Sequence, residues 1–185
     1  IVIADVTQGL PRVEELFETR TPKIVSPIAG IHGKATVIED SEKETYQIRI
    51  TSTDNEEEEF RVPMSQKLKV KDGDLVTAGA TLSEGYLDVS DVLAIRGLEA
   101  AQQYLVDEIQ KGYESQGIAI HDKHFEIIVR KMSDKITIEE EGDTPLVKGE
   151  VVSRLRYEME NRKVLALGAK PATGKVIILG ITRAA

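Results

Sequence analysis

A chain of 185 residues with a net charge of −8 and no cysteine is long enough for one substantial core or two small ones, and it excludes a disulfide framework and a thiolate zinc site. No apolar run approaches the ~20 residues needed to cross a bilayer and nothing reads as a signal peptide, so the expectation is a cytoplasmic protein with no membrane partner. The acidic balance opposes unaided nucleic-acid binding, but residues 1–86 carry ten basic and sixteen acidic side chains whereas residues 154–185 carry seven basic and two acidic.

Residues 7–20 predict a short helix. Pro11 suits a first helical position, where its missing N–H would be unpaired anyway. Leu10, Val13, Leu16 and Phe17 recur at three-to-four-residue spacing and leave Glu14, Glu15 and Glu18 outside, with Pro22 as the stop.

Residues 24–86 predict a compact barrel of short strands. The strand-like runs are 24–25, 35–38, 46–51, 68–70, 75–76 and 80–82, punctuated by glycine turns. The run Asp54 to Glu59 predicts an exposed acidic loop, because like charges repel along a strand.

Residues 88–135 predict helices. Ser90 or Asp91 caps a short one that ends at Gly97. Ala101, Leu105, Ile109 and Tyr113 then keep helical spacing up to Gly117, and Asp122 caps a helix burying Phe125, Ile128, Val129 and Met132. Two such stripes pack most simply as a hairpin. Beyond them, 136–138 and 150–152 predict strands, Ser153 caps a helix carrying Leu155 and Met159, and 176–179 predicts a strand buried on both sides.

A search for chemistry returns little. His121 and His124 flank Asp122 at a spacing that allows one metal, yet they read better as a surface cap and a packed side chain, so no metal site is expected. There is no HExxH, no Gly-x-Ser-x-Gly elbow and no phosphate-cradling glycine loop. Any DNA-facing part is expected among Arg154, Arg156, Arg162, Lys163, Lys170, Lys175 and Arg183.

Three ordered blocks carry a resemblance. Residues 5–20 (DVTQGLPRVEELFETR) resemble the C-terminal arm of the trigger loop in the largest catalytic subunit, β′, of bacterial RNA polymerase. VDEIQ at 106–110, SQG at 115–117 and DKHFEIIVR at 122–130 are similar to the β′ helical region after the jaw. PATG at 171–174 and LGITRAA at 179–185 resemble the segment leading into the DNA-proximal hinge called switch 1. Within the barrel, SPIAG at 26–30 and VKDGDLVTAGATL at 70–82 resemble the barrel-sandwich hybrid shared by the jaw and by lipoyl and biotinyl carriers.

The resemblance implies an α+β chain in four parts: a trigger-loop arm (1–23), a jaw-like barrel-sandwich hybrid (24–87), a helical hairpin region (88–135) and a mixed α/β region leading to switch 1 (136–185). It implies a piece of a DNA-directed RNA polymerase, a nucleotidyltransferase, that helps hold downstream DNA and couples nucleotide loading to translocation. The expected arm residues are Thr7, Gln8, Gly9, Leu10, Pro11 and Arg12, and the DNA-proximal ones are Lys175 and Arg183, where Arg183 stands for a family lysine. No catalytic residue is expected in this segment, because the implied Mg2+ is held by an aspartate-rich loop elsewhere in β′. The implied partners are the rest of β′, β, ω, downstream DNA and protein regulators of the jaw. Departures from the pattern are Thr19 for alanine, Ser133-Asp134 for a basic and apolar pair, and Ile1 to Ala4 for the glycine-rich loop tip. The alternatives are a carrier domain modified at Lys43, which lacks the flanking Asp or Met residues that ligases read, and a free-standing protein-interaction module.

Overall fold

The computed structural model describes residues 7–185; the start of the arm, including Asp5 and Ile1 to Ala4, lies outside the described residues. The chain is α+β and divides into two compact units. One joins the described residues up to Pro11 with Thr21–Ala101, and the other joins Arg12–Arg20 with Gln102–Ala185.

The helix α1 (Leu10–Phe17) follows Gly9, whose φ of 67° is left-handed, and carries Pro11 in its first turn. Val13 and Leu16 are buried, as the periodicity requires, while Leu10 is half exposed. Pro22 is not the stop. The helix closes at Thr19, whose φ is +49°: Thr19 N donates to Leu16 O and Arg20 N to Glu15 O, the paired bonds of a Schellman motif in which glycine is usual.

In the first unit, β1 (Gly33–Asp40), β2 (Thr45–Thr51), β3 (Glu57–Pro63) and β4 (Leu75–Val76) form an antiparallel sheet in the order β3-β2-β1-β4, curled into a half-barrel. Ile48 and Ile50 on β2 point inward with Ala29, Ala35, Val62, Val70, Val76 and Leu82. The expected strands at 24–25, 68–70 and 80–82 are reduced to single bridges, Val25 to Tyr86, Leu68 to Ser83 and Ile28 to Thr81. Pro27 has no N–H to donate, and the left-handed Gly79 and Gly85 turn the backbone out of a continuous ladder.

The acidic run departs most from expectation, because Glu57, Glu58 and Glu59 open β3 instead of forming a loop. Alternation sends them to different partners. Arg49 across the ladder reaches Glu59 at 2.6 Å and Glu57 at 3.8 Å, while Glu58 turns to the other face and accepts from Gly30 N at 2.8 Å. The Cβ of any other residue at Gly30 would stand 2.4 Å from the Glu58 carboxylate. A short helix, α2 (Val89–Arg96), is capped by Asp88, two residues before the first of the expected caps, with its side chain accepting from Ser90 N, and it ends at Gly97.

In the second unit, α3 (Leu98–Glu114, entering from the first) and α4 (Asp122–Met132) form the expected antiparallel hairpin. Gln102 donates to Ser133 at 2.7 Å at one end, Tyr113 stacks on Phe125 at 5.4 Å near the other, and Gln110 donates to Ile120 O. The α4 cap is His121, not Asp122: its Nδ1 accepts from Lys123 N at 3.1 Å.

The strands β5 (Lys135–Glu140) and β6 (Val151–Ser153), the helix α5 (Arg154–Ala166), the strand β7 (Thr173–Ile177) and the helix α6 (Ile181–Ala184) complete the unit, with sheet order β6-β5-β7. Ser153 caps α5 as expected, accepting from Arg156 N. The run 176–179 is not buried on both sides. β7 is an edge strand, half exposed along its length, and only its Ile136-facing side packs on the small core of Ile136, Ile138, Leu146, Val152 and Ala172.

Candidate functional site

Of the six arm residues expected to matter, Arg12 behaves least like a surface cation. Its side chain is 4% exposed. Nη1 donates to Glu15 at 2.6 Å, Nη2 donates to the Tyr104 hydroxyl at 3.0 Å, and Nη2 lies 3.6 Å from Glu108. Tyr104, Glu108 and Lys111 project from one side of α3 at three-to-four-residue spacing, and Lys111 Nζ meets Glu108 at 2.9 Å. The hydrogen bond and charge of Glu108 hold the Lys111 ammonium pKa above its ordinary value. Two cations thus face two carboxylates, the condition under which a guanidinium can leave water.

The other arm residues are differently placed. Thr7 is half-buried and its carbonyl accepts from the Tyr86 hydroxyl at 2.9 Å. Gln8 and Pro11 are exposed, Leu10 is 52% exposed, and Gly9 holds the left-handed turn. Just past α1, the Thr182 hydroxyl of α6 donates to Glu18.

The C-terminal cations divide into two groups. Arg156 is committed to Glu150 at 2.8 Å and Lys163 to Glu160 at 3.1 Å. The Val147 N–H, and with it Arg156, holds the Glu150 carboxyl below its ordinary range against the opposing cost of desolvation. Lys175, exposed on β7 opposite Thr137, and Arg183, exposed on α6, form no ion pair among the described residues. Of the basic stretch, then, the two residues singled out from sequence are among those with charge to spare. Among the described residues no three His, Cys, Asp or Glu side chains gather as they would around a metal ion, and no helix is long and apolar enough to cross a membrane.

The profile of the family described as RNA polymerase Rpb1, domain 5, matches residues 2–185. The chain belongs to this family. Curated relatives of this Rpb1 domain 5 chain include the DNA-directed RNA polymerase subunits beta′ of Caldicellulosiruptor saccharolyticus, 47% identical over 98% of the chain, of Acetivibrio thermocellus, 48% identical over 98%, and of a Nocardioides species, 50% identical over 97%. The chain spans only about 15% of the length of these relatives. The resemblance read from three short blocks therefore extends through residues 2–185 of the chain.

Sequence reasoning missed the Arg12 cluster. The only local signal was Glu15 three residues on; Tyr104 lies 92 positions away, where no periodicity reaches. Lys43, the carrier candidate, does sit in the turn between β1 and β2, with Nζ 3.7 Å from Asp40.

Proposed function

We propose that this chain is a segment of the β′ subunit of a cytoplasmic, DNA-directed RNA polymerase, running from the C-terminal trigger-loop arm (1–23) through a jaw-like barrel-sandwich hybrid (24–87) and a helical hairpin region (88–135) to the approach to switch 1 (136–185). The observation that carries this reading is a family match running from residue 2 to residue 185. In it, the segment helps hold downstream DNA and couples nucleotide loading to translocation. Its partners are the rest of β′, β, ω, downstream DNA and regulators that dock on the jaw.

The chemistry of this segment is mechanical. Lys175 and Arg183 offer two exposed cations that pair with no carboxylate among the described residues, which suits phosphate contact. Residues 7–11 supply the movable end of the arm, with Gly9 as its pivot. Mg2+, which supplies charge stabilisation for nucleotidyl transfer, would be held by residues outside this segment. The carrier reading is set aside because the family match runs through the helices and the second sheet as well as the barrel.

The test is to purify the product of the whole reading frame with its bound subunits and assay template-directed nucleotide incorporation with Mg2+. Incorporation that is lost on deleting the aspartate-rich loop upstream is the expected result. A full-length product that forms no multisubunit complex and incorporates nothing would sink the reading.

A further inference from the structure

We propose that the outer face of the second sheet is a contact surface for the phosphate backbone of nucleic acid, built by Lys135, Thr137 and Lys175; this rests on reading Lys175 as DNA-proximal in a polymerase subunit. The two faces of the β6-β5-β7 sheet differ in character. One packs Ile136, Ile138, Val152 and Val176 into the small core, with Tyr157 of α5 against them. Alternation sends Lys135 and Thr137 of β5, Val151 of β6 and Lys175 of β7 to the other face. Thr137 is the cross-strand partner of both Val151 and Lys175, and Lys135 lies on the diagonal from Lys175, a spacing of roughly 7–8 Å on an antiparallel pair. This face is open, with Lys175 exposed and Val151 48% exposed.

Its positive charge is unanswered. Neither lysine forms an ion pair among the described residues, and the Thr137 hydroxyl has no hydrogen-bond partner among them. The carboxylates along β5 do not compensate. Asp134, just before Lys135, meets Lys131 at 3.8 Å, Glu140 meets Lys148 at 3.6 Å, and Glu139 falls where the register with β7 shifts.

Two ammonium groups on neighbouring strands repel each other, and an anion lying across them relieves that repulsion. Cations spread over an open face suit a repeating line of charges better than one small anion, which would need an enclosing pocket. Lysine charge with a neutral hydroxyl between is a donor set suited to a phosphodiester backbone. The contact is to the backbone, so it is expected to be independent of base sequence.

The experiment uses assembled polymerase carrying the full-length subunit with Lys135→Gln, Thr137→Val, Lys175→Gln or both lysine changes. Affinity for a nucleic-acid scaffold with a long downstream duplex is measured from low to high salt, alongside nucleotide incorporation. Each lysine change is expected to make the slope of log affinity against log salt shallower by about 0.9, and the pair by about twice that. Thr137→Val removes a donor and no charge, so it should weaken binding by about threefold with the slope unchanged. A second scaffold of different base sequence should give the same shifts. Wild-type enzyme that neither binds the scaffold nor incorporates nucleotide overturns the polymerase reading and this proposal with it. Wild-type enzyme that does both, while Lys135→Gln keeps the wild-type slope, overturns the proposal alone. Weaker binding at an unchanged slope in the lysine variants also overturns it, because the face would then be packed on another part of the assembly. Should Lys135→Gln fail to assemble, Thr137→Lys adds a cation to the same face; a slope steeper by about 0.9 supports the proposal, and an unchanged slope overturns it.

Discussion

Gly180, at the start of α6, lies against the backbone of Glu18: a Cβ there would stand 2.7 Å from the Glu18 carbonyl oxygen and 2.9 Å from its carbonyl carbon. The Gly180 backbone is ordinary for any residue, with φ −57°, so glycine is required by this approach and not by a turn. Together with the Thr182 hydroxyl on the Glu18 carboxylate, it seats the turn that closes α1 on the segment bearing Arg183. Gly180→Ala must push two backbones apart and is expected to cost about 2 kcal/mol, in the range of other overpacked sites. The urea midpoint of the chain checks it; a midpoint equal to wild type would mean that α6 shifts freely.

Thr19 occupies the left-handed closing position of α1 with φ +49°, where a β-branched side chain is strained. Thr19→Gly is expected to raise stability by roughly 0.5 to 1 kcal/mol, the relief of strain exceeding the added freedom of the unfolded chain. A thermal melt that moves down instead would show that the Thr19 side chain contributes contacts worth more than the strain.

The Arg49 and Glu59 pair gives a pH signature. The hydrogen bond and charge of Arg49 hold the Glu59 carboxyl below its ordinary range. A folded-state pKa below the unfolded one contributes stability above the ordinary carboxylate value and loses it as pH falls through the folded value. The gap between wild type and Arg49→Ala should therefore be present at neutral pH and close in acid. Urea midpoints taken across pH 3 to 7 test this, and a gap independent of pH would assign the effect of Arg49 to packing.

Arg183 and Lys175 predict a salt signature in the assembled enzyme. Each phosphate contact removed should lower the slope of log affinity against log salt by about 0.9. Arg183→Ala is thus expected to weaken downstream-DNA binding most at low salt, with the curves converging as salt rises. Parallel curves would argue that Arg183 meets no phosphate.

Much of this molecule is legible locally. The α1, α3 and α4 stripes follow from residues three and four apart, Ser153 caps α5 because its hydroxyl reaches an N–H three residues on, and Ile48 and Ile50 alternate into the core as a half-buried strand must. Two caps are misplaced by one or two residues of local chemistry, His121 standing for Asp122 and Asp88 for Ser90. Family membership was legible too, because three separated blocks resemble β′ in the same order.

What the sequence by itself determined is thus the α+β character, the main helices and the family, since these depend on short-range periodicity or on motif residues read as strings. Tertiary structure alone decided which charges are spent and which are free. Glu57 and Glu59 meet Arg49 across the ladder, Arg12 becomes a buried anchor because α3 brings Tyr104 and Glu108 to it, and β7 is an edge strand among the described residues. The reason is electrostatic and topological. A charge is tolerated away from water only when its partners arrive, and those partners are set by the path of the chain through space.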